Sequence, residues 1–112
     1  MLSIEEACQG FAAVGSEPRM GVLLAIVQAG PDGLLFREVG ERTGIPASTL
    51  SHHLRFLTAA NLIVQERRGR ETISRPNFER LEELSGFILK TCCLSAPDRV
   101  KPTDATTGDT TS

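Results

Sequence analysis

The sequence predicts a mostly α-helical fold with a small β-hairpin wing, in the order α-α-(β)-α-α-β-β-α. Three observations predict it. Apolar residues recur at helical spacing in stretches bounded by capping signals. A tight Gly44-Ile45-Pro46 turn separates two short helical stretches. Two apolar and β-branched runs flank Arg68-Gly69, which reads as a hairpin.

Each element has its own signal. Ser3-Ile4-Glu5-Glu6 is a capping box, so a first helix starts near Ser3. Ile4, Ala7, Cys8 and Phe11 are spaced for one face of it, and this face is expected to be the inner stripe. Gly15-Ser16-Glu17-Pro18 interrupts the helix, and Pro18 suits the first turn of a second, whose stripe is Met20, Leu23, Leu24 and Val27. Gly30-Pro31-Asp32-Gly33 is a turn, and Leu34-Leu35-Phe36 a short strand. A third helix from about Arg37 to Thr43 stops at Gly44.

The fourth helix follows Ile45-Pro46 and runs to about Ala60. Leu50, His53, Leu54 and Leu57 fall on its inner face, while Ser48, Ser51, His52 and Arg55 project from the other. Leu62-Ile63-Val64 and Thr72-Ile73-Ser74 are the hairpin strands, and Asn77 caps a last helix whose stripe is Leu81, Leu84, Ile88 and Cys92. From Ser95 onward Pro, Asp, Thr, Gly and Ser dominate, so residues 1–94 are expected to fold and 95–112 to form a disordered tail.

A chain of 112 residues has room for one core. Trp and Tyr are absent, which argues against binding single strands by base stacking. The net charge of −2 conceals a local excess: Arg55, Arg67, Arg68, Arg70 and Arg75 share their segment with only Glu66 and Glu71. The start of the chain is acidic where a signal peptide is basic, and the apolar stretch around Val22–Val27 is far too short to span a bilayer. A cytoplasmic protein with no membrane partner is expected, its three cysteines free thiols, ligands or sensors rather than a disulfide framework. No Ser-His-Asp, Cys-His or paired-carboxylate arrangement stands out, so the chain is not read as an enzyme, and no organic cofactor is expected.

A short helix, a tight turn, an amphipathic helix and an arginine-tipped hairpin form a device for laying one helix in a DNA groove and a ribbon beside it. Ser48, Thr49, Ser51 and His52 are candidates near bases, and Arg55 near a phosphate. Arg67, Arg68 and Arg70 at the hairpin tip are candidates for a minor groove or for phosphates. His53, beside Leu50, Leu54 and Leu57, reads as a core histidine.

Gly44-Ile-Pro-Ala-Ser-Thr-Leu-Ser-His-His-Leu54, followed by Leu57 and Asn61-Leu62-Ile63-Val64, resembles the ArsR/SmtB family of bacterial winged-helix repressors. The Ser16-Glu17-Pro18-Arg19-Met20 opening of the second helix resembles it too, and the likeness covers about residues 3–94. The resemblance implies a homodimeric repressor on a near-palindromic operator of double-stranded DNA. It further implies release when the first and last helices bind a metal or metalloid, or are oxidised. Dimerisation also follows from size: pairing the first and last helices with a two-fold mate buries stripes that so small a domain cannot cover alone. The two recognition helices would then lie one DNA turn apart, ~34 Å.

The family's Cys-x-Cys position falls near Leu35–Arg37, which holds no cysteine, and its His- and Asp-rich site on the last helix has no counterpart. The thiols are instead Cys8 in the first helix and Cys92-Cys93 in the last. Three thiols without a convergent His or carboxylate favour a soft, three-coordinate ion. Trivalent arsenic, or antimony, fits best as effector, since zinc prefers four ligands. Cadmium or zinc sensing, and thiol oxidation or a polysulfide bridge, remain open alternatives, as does a winged helix that binds protein rather than DNA.

Overall fold

The computed structural model describes residues 1–95, with side chains placed through Lys90. The tail expected over 95–112 lies, apart from Ser95, outside the described residues, as do the side chains of Cys92 and Cys93.

The elements are α1 (Ile4–Ala13), α2 (Glu17–Gln28), β1 (Leu34–Leu35), α3 (Phe36–Thr43), α4 (Ala47–Ala59), β2 (Ile63–Arg68), β3 (Glu71–Pro76) and α5 (Phe78–Ser95). The strands form an antiparallel sheet in the order β1-β3-β2. Order and type match the expected α-α-(β)-α-α-β-β-α scheme. The capping box of α1 is formed: Ser3 Oγ accepts from Glu6 N at 3.0 Å, and Ser3 N donates to Glu6 Oε1 at 2.9 Å. Asn77 caps α5, its Oδ1 accepting from Arg80 N at 3.3 Å. Phe36 is not the third residue of a strand but the first of α3, where the Glu38 carboxylate takes the Leu35 N–H at 2.8 Å and turns the chain into the helix.

The core lies where α2, α3, α4 and the base of the hairpin meet. Val22, Ile26, Val39, Leu50, Leu57, Leu62 and Ile63 are fully buried there. The α4 stripe of Leu50, Leu54 and Leu57 faces inward as expected.

Three expected stripes are corrected. In α2, Val22, Leu23 and Ile26 are buried, while Met20 and Leu24 are exposed. This helix is apolar on almost every side, so spacing alone does not select a face, and packing against α3 and α4 does. In α1 the inward side is Ala7, Gly10 and Ala13, and the expected inner residues Ile4, Cys8 and Phe11 are exposed. The reason is close approach to α5: a Cβ on Gly10 would lie 2.9 Å from both methyls of Leu84. Only small side chains fit between helices that near, so the larger ones turn outward. In α5, Leu84 is buried but Ile88 and Leu89 are each 60% exposed. Ile4 (73%) and Phe11 (37%) on α1 thus have counterparts on α5: large apolar residues not covered within the protomer.

Among the described residues no single helix is long and apolar enough to cross a membrane.

Candidate nucleic-acid interface

Helix α4 begins where Pro46 leaves an extended conformation, and no side chain caps its first N–H groups. Its first turn has no acidic residue, so the positive end of the helix dipole is left open. Ser48, Thr49, Ser51, His52 and Arg55 are all exposed on the face opposite Leu50, Leu54 and Leu57. Hydroxyls, an imidazole and a guanidinium therefore share one surface, with no carboxylate among the residues of α4.

The hairpin closes on Gly69-Arg70, with Arg68 paired to Glu71. Gly69 has φ 61°, as the first central position of a type II′ turn requires. Alternation along the strands then divides the three arginines. Arg67 lies on the same side as Gln65, opposite Thr72, and Gln65 and Thr72 line a cleft with Ser51, Leu54 and Arg55 of α4. Arg68 lies on the reverse side, where Glu66 accepts from it at 3.2 Å and also from Arg75. These two guanidiniums hold the Glu66 carboxyl below its ordinary pKa, Arg75 contributing most and Arg68 next. Arg67 Nε donates to Gly69 O at 3.2 Å, which leaves its charge without a carboxylate partner among the described residues. Arg70 likewise has none there. It lines a second recess with Arg37, Glu71 and Thr72, and Arg37 Nε approaches Glu71 at 3.6 Å.

The fold therefore brings Ser51 and Arg55 to one cleft with Gln65 and Thr72, puts Arg67 on the wing face that carries those two residues, leaves Arg70 at the tip, and turns Arg68 away. Gln65, Thr72 and Arg37 were missed by sequence reasoning. The cross-strand pairing of Arg67 with Thr72 was implicit in a two-residue turn. The approach of Arg37 to Glu71 had no local signal.

His53 is half-buried, and its Nδ1 is buried without a hydrogen-bond partner among the described residues. Burial lowers its pKa from the ordinary 6.5, and the nearby Arg19 and His52 add to the effect. The folded state thus disfavours the charged imidazole, so the unfolded chain binds more protons as pH falls. The neutral form's contribution is fully present above about pH 6.5 and is lost as the pH falls from that value toward the lower pKa of the folded state. Urea midpoints measured from pH 7.5 to 5 should fall, and His53→Leu should flatten that slope without losing stability at pH 7.5.

Of the expected thiol site, Cys8 is exposed on the outward face of α1. Among the described residues no three His, Cys, Asp or Glu side chains converge as a metal site.

A model described as a helix-turn-helix domain matches residues 14–66. No curated protein matches the chain in sequence. Solved structures do match in shape. An ArsR-like transcriptional regulator from Rhodococcus sp. RHA1 is 20% identical, with 88% of this chain and 95% of that one covered, at TM-score 0.68. A protein described as a possible transcriptional regulator for arsenical resistance is 21% identical, covering 88% and 98%, at TM-score 0.64. The homodimeric winged helix-turn-helix DNA-binding domain of a possible ArsR-family regulator from Mycobacterium bovis is 15% identical, covering 94% and 90%, at TM-score 0.61. These likenesses show the winged helix-turn-helix fold.

Proposed function

We propose that this chain is a dimeric, DNA-binding transcriptional repressor of the ArsR family that leaves its operator when trivalent arsenic, or antimony, binds Cys8, Cys92 and Cys93. The observation that carries the DNA reading is the carboxylate-free outer face of α4, with its open N-terminus, set across a cleft from Gln65 and Thr72, the wing face to which Arg67 also belongs. Hydroxyl and imidazole groups suit base edges, and the guanidiniums suit phosphates. The dimer reading rests on Ile4 and Phe11 of α1 and Ile88 and Leu89 of α5, apolar groups left uncovered in one protomer. The likeness to a homodimeric domain supports it.

The effector reading rests on the placement of the thiols on the same two helices. Cys8 faces away from the Ala7-Gly10-Ala13 side by which α1 approaches its own α5. A site assembled across the dimer, from Cys8 of one protomer and Cys92-Cys93 of its mate, accords with that orientation. Arsenous acid and three thiols give a tris-thiolate and three waters, with no net proton or electron transfer. Such an ion weakens DNA binding only by its preference for the DNA-incompetent arrangement of the dimer helices, and DNA then weakens ion binding by the same factor. The similarity to a possible regulator for arsenical resistance supports the metalloid over other effectors.

The test is binding to the promoter beside its own gene, measured against salt and with arsenite, antimonite, cadmium, zinc, peroxide or polysulfide. A steep salt slope and release by arsenite at least tenfold weaker in Cys8→Ser, Cys92→Ser and Cys93→Ser are expected. Three serine variants that respond as the wild type does would overturn the site. Release by peroxide or polysulfide alone would replace the metalloid with thiol oxidation.

A further inference from the structure

Phe56 stands apart from the core stripe of α4. It is 44% exposed, yet two other side chains, Arg19 and His52, rest against its ring. The guanidinium of Arg19 lies 4.6 Å from its ring centroid. The imidazole of His52 meets it edge-on, with centroids 4.9 Å apart and planes at 78°. Arg19 is itself anchored. Its Nε donates to Ala13 O at 2.8 Å and its Nη2 to Ala12 O at 3.3 Å, so it serves the last carbonyls of α1. That helix has no basic residue in its own last turn, and the cation comes from α2 instead.

We infer that Arg19 and Phe56 are positioning residues for His52, linking the end of the first helix to the DNA-reading face of α4 through the Phe56 ring. The inference rests on the DNA-binding reading above and deepens it. A planar cation over a phenyl face and a T-shaped imidazole–phenyl pair are both attractive arrangements. Together they hold the His52 ring in one orientation before DNA arrives, so less side-chain freedom is lost on binding. They also give α1, which carries Cys8, a direct mechanical attachment to α4. A displacement of the α1 terminus moves the two carbonyls that fix Arg19, and with them the support of Phe56 and His52.

The experiment is a double-mutant cycle on operator affinity with wild type, Phe56→Leu, His52→Ala and the pair. It is joined to the His52 ring-proton signals of the free dimer by NMR. Phe56→Leu should weaken operator binding about fivefold in the wild-type background and leave it unchanged in the His52→Ala background. The ring-current shift at His52 should vanish in Phe56→Leu, decrease in Arg19→Gln, and return in part in Arg19→Lys, which keeps the cation but not its plane. An equal loss in both backgrounds would show that Phe56 acts on DNA or on the fold directly, and would overturn the inference. Unchanged His52 signals in Phe56→Leu would do the same. A wild type without salt-dependent affinity for DNA would sink the DNA-binding reading, while the NMR arm still decides whether Arg19 and Phe56 position His52.

Discussion

Replacing Arg55, Arg67 and Arg70 together by alanine is expected to weaken operator binding on the order of a thousandfold at 0.1 M salt. In a dimer the substitution removes six guanidiniums, and each phosphate contact contributes about 0.9 to the slope of log affinity against log salt. The slope should therefore become shallower by about five. Arg68→Ala should behave differently from the other three. Arg68 sits on the reverse side of the wing and is already engaged by Glu66 at 3.2 Å, so a phosphate would have to displace a carboxylate. Its loss should weaken binding by a factor of about three or less, as for an exposed ion pair. Glu66→Gln should tighten binding, because it frees Arg68 and removes a negative charge from the wing. Filter-binding or anisotropy titrations at several salt concentrations read all of these. Equal losses for Arg67→Ala and Arg68→Ala would show that the two faces of the wing are not distinguished by DNA.

The second large effect concerns stability. Gly33→Ala is expected to cost about 3 kcal/mol or more, and to lower the thermal midpoint by roughly 15 °C. Gly33 has φ 74°, and a Cβ there would overlap the carbonyl oxygen of Ser74. The obstacle is backbone, in the strand that pairs Leu34 with Ser74, so it cannot swing aside as a side chain would. Relief requires opening the β1–β3 pairing and with it the seat of the wing. A total stability of about 5–15 kcal/mol makes that loss a large fraction. Gly21→Ala is the control of opposite sign. Nothing lies within 4 Å of a Cβ there, so alanine should stabilise α2 by about 0.5–1 kcal/mol. Calorimetry of the two variants beside the wild type checks both, and a Gly33→Ala midpoint within a few degrees of the wild type would overturn the prediction.

The candidate interface was legible in part. Ser48, Ser51, His52 and Arg55 could be placed on one face because helical spacing is local, and Leu50, Leu54 and Leu57 mark the other side without ambiguity. The hairpin arginines could be found but not separated. Whether Arg67 or Arg68 faces α4 depends on strand register and on how the hairpin docks, and neither is written in composition. Phe56 is one apolar residue among several in α4, and its partner Arg19 lies in α2, with β1 and α3 between them in the chain.

The order of the elements, most of their ends, and the division of α4 into an apolar and a polar face are written locally in the chain. Those features follow from caps, turns and periodicities that act within a few residues. Which side of α1 and α2 turns inward is settled by helix packing, because it depends on how near another helix comes. At Gly10 the approach of Leu84 admits only small side chains, and the larger residues Ile4 and Phe11, with Cys8 beside them, are turned out to the surface. Docking of the wing likewise decided that the strand face of Arg67, and not that of Arg68, turns toward α4, and helix packing brought Arg19 of α2 against Phe56 of α4. Contacts between residues far apart in the chain have no local pattern to announce them.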